Sequence, residues 1–427
     1  MRRVLLVVML MALLLGGCGK AARSDKVQIR FWHGLSGPLG DVLNEMIVEF
    51  NRTHTDIEVI TNPISSYTAL SQKLSASLQV GKQPDLAQVF ESWAATFQKD
   101  NVLVSIDELI ANDEDFTEED MADFYPVFMS SITYQGKKWS FPFNKSVRAY
   151  FYNKDAFYRA GLDPNHFPET WKEFEDYCRI LTSTQTKDSP ATWGANFTVN
   201  EWQFINLLHQ AGGTILNDRN VPVLNGPEGL EALNYTLNLV NNGTARSTRE
   251  YDGQNAFLGG SVAMFEGSSV SITYMRQQPI NFNIGYAPLP TDKTNKSAIS
   301  GANIVIFKSG DPAREKAAWE FIKWFTDTEQ TAKWSARTCY MPLRKSAMET
   351  EVIKNFLEDF PQFASIYAQL DNAVFEPQHP AWFVARDELK KFLERAKEGV
   401  LTPQEALDGA ADKFAELIAK EKSQLPE

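Results

Sequence analysis

The chain has 427 residues, about three times the ~150 residues of a typical domain, so two lobes are expected rather than one core. A hydrophobic content of 43% with 12% aromatics excludes a disordered chain. Acidic residues outnumber basic ones 54 to 42, a formal net charge of −12, which excludes a sequence-independent nucleic-acid binder, whose surface must displace cations. There is no self-similarity at the spacing of a solenoid or propeller, and no low-complexity run.

Arg2 and Arg3 precede an uninterrupted apolar run, Val4 to Leu15. That run is shorter than the ~20 residues a membrane-spanning helix needs, and it fits the apolar region of a signal peptide. Leu15-Gly16-Gly17-Cys18 follows in register and resembles the bacterial lipobox. Small residues let a peptidase approach the backbone, and the Cys18 thiol is the nucleophile that takes a diacylglycerol. Residues 1–17 are thus expected to be a lipoprotein leader, and residues 18–26 a short polar tether.

Residues 27–31 alternate apolar and polar and predict a strand. Residues 40–50 carry Val42, Leu43, Met46, Ile47 and Phe50, a helical stripe. A second strand at 57–61, a second helix at 67–78 and a buried strand at 86–89 complete a β-α-β-α-β order, which predicts a parallel, helix-flanked sheet. Ligands of such sheets sit beyond the carboxyl ends of the strands. Three segments fall there: Trp32-His33-Gly34, Ser65-Ser66-Tyr67 and Phe90-Glu91-Ser92-Trp93. Further on, Thr170 with Glu173 and Thr402 with Glu405 read as capping boxes, the second with Pro403 at the first helical position. Asp311-Pro312 opens another helix, and Pro227 starts one that Gly243 stops.

Four stretches then carry a resemblance: FWHGLSGPLG at 31–40, AYFYNKDAFYRAGLDP at 149–164, PETWKEFEDYCRIL at 168–181 and AAWEFIKWFTDTEQTAKWSARTCYMPLRKSA at 317–347. Together they resemble the extracellular solute-binding proteins of ABC importers, the family of maltose-binding and glycerol-3-phosphate-binding proteins. The resemblance spans essentially the whole chain after the leader and is nearest to the glycerol-3-phosphate branch. It implies an α/β, maltose-binding-protein-like fold of two lobes, each a helix-flanked, mainly parallel sheet. Residues 27–145 and 300–346 would form the N-terminal lobe, and 146–299 and 347–427 the C-terminal lobe. Three crossings join them, near 143–146, near 297–301 and near Ala347.

The implied function is binding without chemistry. A sugar, polyol or glycerol-phosphate-type solute enters the interlobe cleft, the lobes close, and the closed form docks on a membrane permease. The protein would act as a monomer on the outer face of the bacterial envelope, held to the membrane by its lipid, with no cofactor, no metal and no nucleic-acid partner. A narrower alternative is specific binding of sn-glycerol 3-phosphate or a glycerophosphodiester. By the resemblance, ligand-contacting positions fall on Tyr67, Glu91, Ser146, Ser268, Gly301 and Tyr340, with Trp202 as an aromatic platform for a sugar face and Trp93 and Trp382 as lesser ones. The types suit hydroxyl recognition: a carboxylate accepts from two hydroxyls, Ser hydroxyls and Gly N–H groups donate, and Tyr rings cover C–H faces. One departure stands out. Where the glycerol-phosphate binders carry a phosphate-gripping Arg, this chain has Phe383, with Arg386 three residues on and Arg148 or Lys145 as substitutes.

The rival reading is a surface enzyme such as a glycosidase, and carboxylates are plentiful enough for one. Yet there is no Gly-x-Ser-x-Gly elbow and no His-Glu-x-x-His pair, and His33, His54, His166, His209 and His379 show no ligand spacing. The acidic run from Asp113 to Asp120 does not match an EF-hand loop. Cys178 and Cys339 are open to two readings, a disulfide or two buried thiols.

Overall fold

The computed structural model describes residues 26–183, 192–248 and 252–423. The expected leader, Cys18 and all but the last residue of the expected tether lie outside these. The first strand, β1, is Val27–His33. It runs two residues past its expected end because both faces are covered there: Trp32 packs with Leu70 and Leu74, and the His33 ring lies against Phe31. Trp32 and His33 are therefore strand residues and not part of a loop. Helix α1, Gly37–Thr53, starts three residues early because Pro38 presets the backbone of its first turn. It buries Leu39, Val42, Leu43, Met46, Ile47 and Phe50 in one stripe. β2 (Ile57–Pro63), α2 (Tyr67–Gln79), β3 (Leu86–Val89) and α3 (Glu91–Lys99) follow. Ser66 caps α2 by accepting from the Ala69 N–H.

Two strands buried along their whole length come next, β4 (Phe141–Ser146) and β5 (Arg148–Asn153), separated only by Val147. Helix α4 (Trp171–Leu181), β6 (Trp193–Phe197), α5 (Glu201–Gln210), α6 (Pro227–Asn241) and β7 (Ala245–Ser247) lead to β8 (Val262–Ser268) and β9 (Ile284–Ala287). A two-residue strand β10 (Ser297–Ala298) precedes β11 (Ser300–Ile306). The remaining chain is largely helical: α7 (Pro312–Phe325), α8 (Thr328–Thr338), a short strand β12 (Ala373–Val374), α9 (Trp382–Lys397) and α10 (Pro403–Lys422).

The strands make two five-stranded sheets, ordered β2-β1-β3-β11-β4 and β9-β5-β8-β6-β7. Both are mixed. β1 pairs in parallel with β2 and β3, as the β-α-β-α-β order predicts, and β8-β6-β7 is the parallel half of the second sheet. The antiparallel halves come from β4, β5, β9 and β11. The chain leaves the first sheet at β4 and enters the second at β5, with one residue between, and β10 pairs with β12 just before β11 rejoins the first sheet. After the short helical turn at Ser346–Glu349, Phe360 and Phe363 pack on Tyr286 of β9.

Aromatic contacts fill the first sheet's inner layer, where Phe31 meets Phe143 at 5.5 Å and Phe50 meets Phe321 at 5.1 Å. Helices α5, α6, α9 and α10 bury a separate cluster that includes Leu208, Leu233, Trp382 and Phe414. Thr402 makes a complete capping box with Glu405. Thr170 makes only half of one: it accepts from the Glu173 N–H, while the Glu173 carboxylate turns to the Glu169 N–H and to His166. Cys178 and Cys339 are both buried free thiols, so the disulfide reading falls. Burial pushes the Cys339 thiol up to about 11.

Candidate functional site

The carboxyl ends of the first sheet's strands carry a chain of polar contacts. The Gly34 N–H donates to Gln88 Oε1 at 2.6 Å, Gln88 Nε2 donates to Asn144 Oδ1 at 2.9 Å, and Asn144 Nδ2 donates to Tyr67 Oη at 3.1 Å. One residue along β4, the fully buried Lys145 Nζ donates to Glu91 Oε1 at 2.7 Å. Glu91 is the first residue of α3, where the helix N-terminus favours its negative charge.

The facing wall comes from the second sheet. Antiparallel pairing sets Arg148 opposite Ser268 and Tyr150 opposite Glu266, and the two-residue period puts these side chains on one face. Arg148 Nε donates to Glu266 Oε1, and Gln203 Nε2 donates to Glu266 Oε2 at 2.8 Å. The Arg148 guanidinium lies 4.8 Å from the ring centre of Trp202, whose indole N–H donates to the Ala298 carbonyl at 3.0 Å. Trp202 is therefore half-buried and oriented by two contacts.

Between the walls lies a cleft of about 440 Å³. Of the seven positions singled out in the sequence, Tyr67, Trp202, Ser268 and Tyr340 line it together. Glu91, Ser146 and Gly301 do not. Glu91 is drawn back by Lys145, Ser146 is buried at the end of β4 opposite Ser300, and Gly301 sits in β11 opposite Lys145. Gly301 also has a backbone reason to be glycine: its φ is +92°, and a Cβ there would lie 1.8 Å from the Asn144 carbonyl oxygen. The walls touch at the rim. Tyr274 Oη donates to the Ser36 carbonyl at 3.2 Å. Away from the cleft lining, Phe383 packs edge-on against Trp93 at 5.4 Å. Trp93 and Trp382 are buried packing residues. A wider cleft of about 740 Å³, lined in part by Tyr134, His209 and Glu421, holds none of the seven.

Arg386, offered as a stand-in for the missing phosphate grip, is not on the cleft lining and is turned to two carboxylates. It meets Glu201 at 2.6 Å and Glu376 at 2.8 Å. Burial works against its charge, but Glu376 and Glu201 outweigh that and raise its pKa. Lys145, Arg148 and Arg386, the cations offered as substitutes, thus each have a carboxylate partner. Sequence reasoning passed over Glu266, Gln203, Gln88 and Asn144 as site members. The signal that finds them is a polar residue within a strand or helix that is otherwise apolar, such as Glu266 in Val-Ala-Met-Phe-Glu-Gly-Ser.

His33, fully buried, has its pKa lowered to about 4 by burial and stays neutral. Among the described residues no group of three or more His, Cys, Asp or Glu side chains is placed to hold a metal ion. Asp113 of the acidic run is engaged by Lys323 at 2.6 Å and by the Trp319 indole. No described helix is long and apolar enough to cross a membrane.

Comparison with known proteins gives a consistent result. The family described as "Bacterial extracellular solute-binding protein" matches residues 36–332. The sn-glycerol-3-phosphate-binding periplasmic protein of Pectobacterium atrosepticum is 27% identical over 429 residues, 96% of this chain and 94% of its own. Among solved structures, UgpB from Mycobacterium tuberculosis in complex with glycerophosphocholine superposes with a TM-score of 0.81 at 23% identity, over 93% of this chain and 100% of its own. The sugar-binding protein MalE from Xanthomonas citri superposes with a TM-score of 0.78 at 22% identity, over 94% and 100%. The α/β, maltose-binding-protein-like fold expected from the sequence is the fold observed.

Proposed function

The chain belongs to the bacterial extracellular solute-binding proteins, and from that premise we propose that it captures a hydroxylated solute between its two sheets and delivers it to an ABC permease. The observation that carries this reading is the cleft itself, where Tyr67 and Tyr340 face Trp202 and Ser268 across about 440 Å³. Aromatic rings beside hydroxyls and a guanidinium suit a sugar, a polyol or a glycerol-phosphate-type ligand, and the relatives and structural neighbours are named for sugars and glycerol phosphates. Nothing beyond binding is required of the site. The ligand's affinity for the closed form shifts the population toward it, and no bond changes.

In this reading residues 27–145 with 300–346 and residues 146–299 with 347–427 are the two lobes, and Val147 lies at one crossing. Tyr67, Trp202, Ser268 and Tyr340 touch the solute. Glu91, Ser146 and Gly301 form the layer behind them. The protein works as a monomer on the outer face of the envelope, and Cys18 bears its lipid. Replacing Cys18 by Ser releases the protein from membranes; retention there counts against the anchor.

A thermal-shift panel of sugars, polyols, sn-glycerol 3-phosphate and glycerophosphodiesters tests the reading. A bound solute at 100 times its Kd adds about 2.7 kcal/mol to stability. No shift with any member, or conversion of a member to a new product over hours, overturns it. A second, narrower reading is specific recognition of a glycerol phosphate; the 27% identity to a protein of that name favours it.

A further inference from the structure

Among the described residues, Arg148 is the one Arg or Lys side chain on the lining of the cleft. It is 3% exposed, yet of its five N–H bonds only the one on Nε has a hydrogen-bond acceptor among the described residues, Glu266. The guanidinium is held on two sides, and its backbone on a third. Glu266 holds one edge, the Trp202 ring covers one face, and Gln369 Nε2 donates to the Arg148 backbone carbonyl at 3.2 Å. Glu266 in turn is fixed by Gln203.

Resting on the solute-binding reading above, we propose that Arg148 is the specificity-determining residue of this cleft, that its two terminal amino groups donate to oxygens of the solute, and that Glu266 tunes it toward an uncharged polyhydroxylated solute and against a phosphate monoester. Buried donors left without acceptors cost free energy, so a preorganised fork at a cleft wall favours a ligand that brings oxygens to it. Charge decides which oxygens. A phosphate dianion transferred from water into a cleft needs a cation whose charge is not already spent. Here Glu266 neutralises Arg148, Glu91 neutralises Lys145, and Glu376 with Glu201 over-neutralises Arg386. Hydroxyl and ring oxygens accept from the same fork without bringing a charge.

Calorimetric titration of the full chain with maltose, trehalose, glycerol, sn-glycerol 3-phosphate and glycerophosphocholine tests this. The tightest ligand is expected to be an uncharged member, and Arg148→Gln weakens it about tenfold or more, the worth of hydrogen bonds from a charged donor. Glu266→Gln unmasks the Arg148 charge and moves the affinity ratio of sn-glycerol 3-phosphate to that uncharged ligand about tenfold toward the phosphate. If Arg148→Gln does not fold, the double variant Arg148→Gln/Glu266→Gln removes both charges and carries the same expected loss. Unchanged affinity in whichever of these variants folds overturns the proposal while leaving solute capture intact. So does a wild-type preference for either phosphate ester over every uncharged member, or a Glu266→Gln ratio that does not move. Binding of no member overturns the solute reading itself.

Discussion

Lys145–Glu91 and Arg148–Glu266 bring the same two kinds of charge together three residues apart along the chain, on either side of Val147. They differ in what lies beyond them. Lys145 is enclosed by protein, and its amino group ends on Glu91. Arg148 is nearly as buried, but it borders the cleft and keeps terminal N–H groups that the described protein does not use. A lysine ammonium is a compact point charge with three donors, here enclosed by protein on Glu91, whereas a guanidinium is a planar fork of five donors, of which Glu266 takes only the one on Nε. The same burial thus yields a support strut on one side of the crossing and a recognition surface on the other.

The sharpest way to break that contrast is Lys145→Met. It strands the Glu91 carboxylate, 9% exposed, without its cation. A broken buried pair costs about 3–5 kcal/mol, and denaturant unfolding should read a loss of that size. Adding Glu91→Gln should return most of it, because no uncompensated charge is left. If Lys145→Met unfolds at the wild-type denaturant midpoint, Lys145 is no strut.

A second comparison sets the two sheets against each other through pH. His33 ends β1 of the first sheet and His209 lies on α5 beside the second, and both have pKa values lowered to about 4, chiefly by burial, with Lys296 adding to the effect at His209. The unfolded chain protonates these rings near pH 6.5, so below that pH it binds protons the fold refuses. Stability is therefore fully present above about pH 6.5 and is lost as pH falls toward 4, by about 3 kcal/mol per histidine. His33→Gln and His209→Gln should each flatten the acid limb of a stability-versus-pH curve. Equal flattening means that the sheets share the acid sensitivity; flattening by one variant alone assigns it to that sheet.

What the sequence made legible follows the same division. Periodicity located β1, β2, α1 and α2 to within a few residues, because each buries one face and writes a stripe, while β3, buried on all four residues, showed as a short buried strand. It missed the length of β1, since Trp32 and His33 are buried on opposite faces and break the alternation. It also made the sheets more parallel than they are. Strands β4 and β5 are buried on every residue and carry no period, so their antiparallel pairing left no mark. The site split likewise. Tyr67, Trp202, Ser268 and Tyr340 do meet in one cleft, but the partners of Glu91 and Arg148 are set by register across strands distant in sequence. No local motif reports such a register.

Gly301→Ala probes the join between the two walls. At a φ of +92°, with the Asn144 carbonyl oxygen 1.8 Å from the added methyl carbon, β11 must move away from β4. Backbone strain of this kind costs about 1–3 kcal/mol. The loss should appear as a lower thermal midpoint, together with weaker binding of whichever solute the panel identifies, because Asn144 positions Tyr67. A stability loss without any binding change would confine Gly301 to a packing role.

Tyr67→Phe is the mildest change and the most discriminating one for the first wall. It removes the acceptor for Asn144 Nδ2, and Asn144 is fully buried, so one donor loses this bond while the ring and its packing on Phe90 at 4.9 Å remain. A single neutral hydrogen bond is worth about 1 kcal/mol, which sets the expected loss of stability. If the polar chain from Gly34 through Gln88 and Asn144 exists to aim the Tyr67 hydroxyl, solute affinity should fall by more than that loss accounts for. If the chain merely satisfies buried amides, stability should fall and affinity should not. The polar chain would then be a scaffold, and recognition by side-chain polar groups would rest on Tyr340 and, across the cleft, on Arg148 and its neighbours.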